Sequence, residues 1–417
     1  MRRRLLGLFF VFILLIIALA GRLWWVQIAS GGEYARMAKE QSLLSLPEIP
    51  VRGTIYDRNN RPLTNSAESY YFIIDERKMD EEAERQIKKI GAQSVGKPKG
   101  KYRVFNVIEP DKAEFEKLSR RYDLIAVKHS LRYSYNQPAK HVIGGLDEEG
   151  RGGLWGLEKD YDKILSSGGM AFTIRCDGQG YLLRGDGIRV KGDGRSWGII
   201  TTLDLDIQQT AEKAFEISGK KGAVIVTDIK SGEILASVSS NGQASPEKSI
   251  YDENSGSQMN KAMEGMYPPG PLFYDIAAAA GLMDQTVGLF NASFDRKEGL
   301  ITPMEVARLM RIAASDGWDV ELTLVKGTIE GIRGVFYQPR QPEKPVISAE
   351  AAAIMKAMID NQAENESADR GGWYAGYIAK GEALLGITIF VEDEEGEAGW
   401  GKRIFSGIAD KILKKPL

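Results

Sequence analysis

The sequence predicts an α+β chain carrying one N-terminal membrane helix, and three observations support this. Leu5 to Ala20 contains no charged residue. From Gly222, "GAVIVTDIKSGEILASVSS" sets two apolar runs around a Lys230-Ser231-Gly232 turn, the pattern of a β-hairpin. The C-terminal part adds two strand-like runs, "GWYAGYIA" and "ALLGITIFVE", and a helical pattern, "WGKRIFSGIADKILKK". Hairpin, helices, two more strands and a terminal helix describe an antiparallel sheet flanked by helices.

A helix needs about 20 apolar residues to cross a membrane. Leu5–Ile28 supplies them, with Arg22 reaching toward the headgroups and Trp24 and Trp25 in the interfacial belt. Arg2, Arg3 and Arg4 are expected to hold the N-terminus in the cytoplasm, which places the bulk of the chain outside the cell membrane. The alternative is a cleaved signal peptide, whose apolar region is usually about 7–15 residues. The run here is longer and tryptophans follow it, so a retained anchor is expected.

The 417 residues exceed one domain of about 100–200, and two or three units are expected. A formal net charge of -2 gives no reason to expect a nucleic-acid partner. The single cysteine, Cys176, cannot form an internal disulfide. Two histidines, His129 and His141, without neighbouring ligand-type residues, argue against a zinc site or a Ser-His-Asp triad. No metal and no cofactor is expected.

Between anchor and hairpin, helices are expected over Glu33–Gln41, Glu76–Ile90, Asp111–Tyr122 and Leu157–Leu165. A further helix starts at Asp206 or a neighbour and runs through Phe215. "RGTIYDRNNRPL" suggests a hairpin about Asn59-Asn60, and Gly198–Leu203 a strand. In "ITPMEVARLMRIAASDG", Thr302 is placed as helix N-cap, Pro303 at the first helical position and Gly317 after the last turn. "SAEAAAIMKAMIDN" is a helix capped by Ser348.

These pieces, in order, resemble the class B penicillin-binding proteins, the single-pass peptidoglycan transpeptidases of bacterial cell walls. Arg52, Gly53, Ile55, Asp57, Arg58 and Asn59 match the family's membrane-proximal motif, with Asn60 in place of its glycine. "GLWGLEKDYDKIL" is similar to the second half of the family's pedestal, or dimerisation, domain. "TTLDLDIQQTAEKAF" is similar to the entry into the transpeptidase domain. The resemblance implies a cytoplasmic tip and anchor over 1–28, a β-rich pedestal over 29–200 and a transpeptidase-like domain over 201–417 that lacks part of the helical lobe.

The family's chemistry needs S-x-x-K, S-D-N and K-T-G clusters. A lysine one helical turn after the serine can take the hydroxyl proton. At the matching place this chain reads "YPPGPLFY", Tyr267 to Tyr274: Pro271 stands where the serine would be and Tyr274 where the lysine would be. Proline suits a first helical turn but carries no nucleophile. "NESADRGG", before "WYAGYIA", holds no Lys-Thr-Gly. Ser94…Lys97, Ser218…Lys221 and Ser245…Lys248 have the serine-lysine spacing out of position. Lys326-Gly327-Thr328 and Ser239-Ser240-Asn241 are likewise in the wrong order along the chain.

The expectation is a catalytically inactive scaffold or regulator of peptidoglycan synthesis, with a residual pocket at Tyr267, Phe273 and Tyr274. The alternatives are an active D,D-transpeptidase using another serine, Ser245 first, and a sensor holding peptidoglycan fragments noncovalently. The resemblance implies a multi-pass glycosyltransferase or another wall-synthesis protein as partner, met through Leu5–Ile28 and through Arg52, Gly53, Asp57 and Arg58.

Overall fold

The computed structural model describes residues 2–41, 43–45, 49–95, 101–134, 136–147, 150–166, 168–177, 181, 183, 188–191, 197–242, 259–269, 299–330, 333–338, 342–362, 372–392 and 399–414. The architecture is α+β, as the apolar patterning implies. Among the described residues, one helix is long and apolar enough to cross a membrane: Leu6–Ala29, with a mean hydropathy of 2.6 and none of its most apolar window buried in the protein. It closes in a π turn, Trp25–Ala29, where Ser30 N donates to Trp25 O at 2.9 Å, and the helix Gly31–Gln41 follows.

The chain forms two compact units. One gathers Met1–Ile49, Ser69–His129 and Gly169–Gly194; the other gathers Pro50–Glu68, Ser130–Gly168 and Arg195–Leu417. In the first, a sheet runs in the order Gln93–Ser94, Tyr102–Ile108, Ala67–Asp75, Ile125–Leu131. The helices Glu81–Lys89 and Lys112–Tyr122 supply Ala83, Ile87, Phe115 and Leu118 to a core with Phe72, Ile74, Phe105 and Val107. Asp80 and Asp111 cap them, accepting from Ala83 N and Glu114 N. The single helix expected over Glu76–Ile90 is therefore a 3-10 turn, Glu76–Lys78, and a separate helix. Asp75 and Asp80 each cap a start, and the cap at Asp80 begins a new helix.

In the second unit, the expected hairpin is Lys221–Asp228 with Ile234–Asn241. Lys221–Asp228 also pairs with Ala383–Glu392, which pairs with Trp373–Lys380, giving a four-stranded antiparallel sheet. The helices Leu205–Ser218 and Trp400–Lys414 cover one face through Ala211, Phe215, Ile404 and Ile408. Pro303–Ala314 and Ala349–Gln362 share a second core with Trp373, Ala375 and Phe390. A further sheet, Arg333–Phe336, Val325–Glu330, Gly198–Thr201, Ile55–Tyr56, sits beside a third core that includes Ile55, Ile199, Ala223 and Ala307.

Local expectations shift where tertiary pairing decides. Ile55–Tyr56 pairs in parallel with Gly198–Thr201, and the turn at Asn60 (φ 60) closes on a single bridge, Tyr56 to Pro62, in place of a full hairpin. The helix expected to begin near Asp206 begins at Leu205, because Asp204 accepts from Asp206 N and Ile207 N. Leu157–Leu165 is two short helices, Gly156–Asp160 and Asp162–Leu165, broken at Tyr161. The helical lobe expected to be incomplete falls on residues outside those described.

Candidate functional site

Of the site expected at Tyr267, Phe273 and Tyr274, only Tyr267 is described. Pro271, Phe273 and Tyr274, together with Ser245 and Lys248, lie outside the described residues. The segment Met259–Pro269 is fixed from three sides. Lys261 N donates to Ser239 Oγ at 3.0 Å, tying it to the hairpin. Met304 N donates to Ala262 O at 3.0 Å, tying it to the Thr302-capped helix. Tyr267 and Ile301 exchange backbone hydrogen bonds of 3.0 and 2.8 Å, so the entrance segment and the helix start form one bridge.

Side chains complete the attachment. The Tyr267 ring stacks on Phe390 with centroids 3.9 Å apart and lies edge-on to Trp373 at 6.4 Å. Trp373 Nε1 donates to Pro268 O at 2.7 Å. Glu392 Oε1 accepts from Lys261 Nζ at 2.6 Å and from the Tyr267 hydroxyl at 3.2 Å. Burial, and then the Glu392 carboxylate, push the Tyr267 phenol well above its ordinary range, so it is a neutral donor at neutral pH. Lys261 and Tyr267 thus converge on one acid. This constellation positions backbone, and among the described residues it pairs no serine with a base.

The other serine-lysine spacings serve local structure. Ser218 Oγ donates to Phe215 O at 2.6 Å and accepts from Lys220 N at the end of its helix. Ser239 Oγ donates to Met259 O and Ser240 Oγ to Lys220 O. Lys326 lies on a strand and pairs with Glu233 at 3.1 Å. Ser94 is exposed on a short strand, and its spaced partner Lys97 is outside the described residues.

The Arg52–Arg58 segment is packed inward. Arg52 is buried and its guanidinium bonds Glu158 Oε2 at 3.0 and 3.1 Å, Asp162 Oδ1 at 2.8 Å and Arg151 O at 2.5 Å. Glu158, also buried, receives Arg132 Nε at 2.6 Å and the Tyr133 hydroxyl at 3.0 Å on its other oxygen. A Cβ on Gly53 would lie 1.7 Å from Trp197 O. Asp57, fully buried, accepts from Asn59 N, Arg61 N and Arg61 Nε at 2.7–2.8 Å. Half-buried Arg58 pairs with Glu233 at 2.8 Å. These four residues organise the fold, and the exposed residues are Asn59 and Asn60, which follow the segment.

Glu158, Lys261 and Glu392 were not singled out from sequence. Glu158 lies inside the quoted "GLWGLEKDYDKIL", where Asp160 and Asp162 follow it and nothing local sets it apart from them. Glu392 ends a strand far along the chain from Lys261, and no local pattern joins them. Among the described residues no group of three or more His, Cys, Asp or Glu could hold a metal ion.

Comparison with known proteins agrees with this frame. The penicillin-binding protein transpeptidase domain model matches residues 282–381, beginning after Pro271 and Tyr274. Peptidoglycan D,D-transpeptidase MrdA of Escherichia coli K12 is 26% identical over 340 residues, covering 69% of this chain and 53% of that protein. Stage V sporulation protein D of Bacillus subtilis is 28% identical over 320 residues, covering 70% and 48%. The chain therefore spans about half the length of these relatives. Among solved structures, a chain from "Structural coordination of polymerization and crosslinking by a peptidoglycan synthase complex" superposes with a TM-score of 0.60 at 20% identity, covering 99% of this chain and 97% of its own. Penicillin Binding Protein 2X of Streptococcus thermophilus gives 0.54 at 14% identity, covering 89% and 80%. Its family match, its relatives and its fold agree: the chain carries a penicillin-binding protein transpeptidase domain match and is similar to class B penicillin-binding proteins in sequence and fold.

Proposed function

We propose that the chain is a membrane-anchored, catalytically inactive class B penicillin-binding-protein homologue that acts as a scaffold or regulator in peptidoglycan synthesis. The observation that carries this is the substitution of Pro271 and Tyr274 at the positions of the family's serine and lysine. Without a hydroxyl there is no acyl-enzyme, and a phenol with an ordinary pKa of about 10 is a poor base at neutral pH. The frame around the site supports a retained fold: Tyr267, Trp373, Phe390, Lys261 and Glu392 hold the entrance segment to the sheet.

In this reading the chain divides into anchor (1–28), pedestal (29–200) and transpeptidase-like domain (201–417). Arg2, Arg3 and Arg4 set the N-terminus in the cytoplasm and leave the ectodomain outside. The partner is a polytopic peptidoglycan polymerase met chiefly through Leu5–Ile28, whose apolar side chains are almost all exposed. A fold shared with a chain of a peptidoglycan synthase complex is in keeping with this.

Incubation of the full chain in detergent with fluorescent penicillin, followed by peptide mapping, tests the inactivity. No covalent label at saturating drug is expected. Stoichiometric label on Ser245 or any other serine would overturn it in favour of an active transpeptidase with a relocated nucleophile.

A further inference from the structure

Strand Ile234–Asn241 ends on the Ser239-Ser240-Asn241 run and leads directly into Gly242. This is the one Asn-Gly pair in the chain; every other asparagine is followed by a residue that carries a side chain. Asn241 is exposed, and the ladder with the neighbouring strand stops at the Lys221–Asn241 pair. Gly242 N lies beyond that ladder and donates to Ser240 Oγ at 3.3 Å, a long bond. Gly242 takes a φ of 86, a region that glycine enters without steric cost.

We infer that Asn241 is a site of spontaneous modification, where the Gly242 main-chain nitrogen closes a succinimide on the Asn241 side chain and water opens it to aspartate and isoaspartate. The nitrogen gives up its proton and attacks Cγ, the Cγ–Nδ2 bond breaks, and ammonia leaves. Water then adds at either ring carbonyl. Cleavage from Cγ returns an aspartate; cleavage from the main-chain carbonyl carbon leaves an isoaspartate. In sum, one amide and one water become one carboxylate and one ammonium, and no other reactant is needed.

The placement of the pair favours each step. No Cβ on residue 242 shields the attacking nitrogen. Ring closure turns Asn241 out of its extended conformation, which opens only the last pair of the ladder, and glycine absorbs the rotation that follows. Asn106, inside a strand and followed by Val107, has none of these features. The product matters to the sheet, because the row Asn241, Lys221, Glu392 crosses three strands on one face. Aspartate sets a carboxylate opposite Lys221, a favourable cross-strand pair. Isoaspartate carries the main chain through Cβ and Cγ, one atom longer, and loses the register at the strand end.

The test is incubation of the full chain in detergent at 37 °C, at pH 6 and at pH 8.5, with mass mapping of peptide 231–248 and a parallel sample unfolded in urea. The folded chain is expected to gain the acid form at 241 ahead of every other asparagine. The gain should be faster at pH 8.5, because the nitrogen must lose its proton, and isoaspartate should be among the products. Asn241→Gln is expected to abolish conversion at this position with an unchanged melting temperature. Conversion in urea but not in the folded chain over the same time overturns the inference, since the fold would then protect the pair. So does aspartate without isoaspartate, which would mean direct hydrolysis, and so does a rate indifferent to pH. The wild-type chain carries all three of these readings, so they stand whether or not the variant folds.

Discussion

Backbone approach fixes Gly53. Its missing Cβ leaves room for Trp197 O, which would otherwise stand at 1.7 Å, and both partners are main chain. Gly53→Ala is expected to destabilise the protein by about 3 kcal/mol, the upper range for overpacking, read as a lowered melting temperature of the purified chain. Glu212 is a second such residue. Burial first, and Glu216 as a like charge, raise its carboxyl above the ordinary range, against bonds from Gln208 Nε2 at 2.9 Å and Ala139 N at 2.7 Å. A carboxyl raised on folding binds its proton more tightly in the native state. Its contribution is thus fully present below the unfolded value near 4 and is lost as pH rises through the folded one. Glu212→Gln keeps an acceptor without the charge. The variant is expected to melt higher than wild type at pH 7, with the gap narrowing toward pH 4. A gap that widens on acidification would exclude a buried carboxylate as the cause.

Capping decides where the elements begin. Thr302 accepts from Glu305 N at 3.2 Å while Glu305 Oε2 accepts from Thr302 N at 2.9 Å, with Pro303 at the first position: a complete capping box. Thr302→Ala is expected to cost about 1 kcal/mol. Because Ile301 is bridged to Tyr267, the loss should also raise hydrogen exchange at Tyr267. Protection there unchanged, with the helix destabilised, would mean that the entrance segment is held by Phe390 and Glu392 alone. Thr302, Pro303 and the central hairpin were legible because their signals are local. Arg52 with Glu158, and Lys261 with Glu392, were not, since each pair is joined across more than a hundred residues and only the fold brings them within 3.1 Å.

For the whole molecule, the anchor is the testable unit. A chain lacking residues 1–28 is expected to move from the membrane to the soluble fraction on cell fractionation. Retention on membranes washed with high salt would mean that the remaining chain has its own membrane contact.

The sequence by itself determined the α+β class, the apolar helix, the capped starts and the absence of serine and lysine from the "YPPGPLFY" frame. All of these are written in neighbouring residues, where periodicity, caps and residue chemistry act over one or two turns. Only the tertiary structure decided that Arg52, Gly53 and Asp57 face inward, that Ile55–Tyr56 joins the Gly198–Thr201 strand in parallel, and that Tyr267 is committed to Glu392. Burial and long-range pairing depend on which distant segments close around a residue, and local pattern carries no term for that.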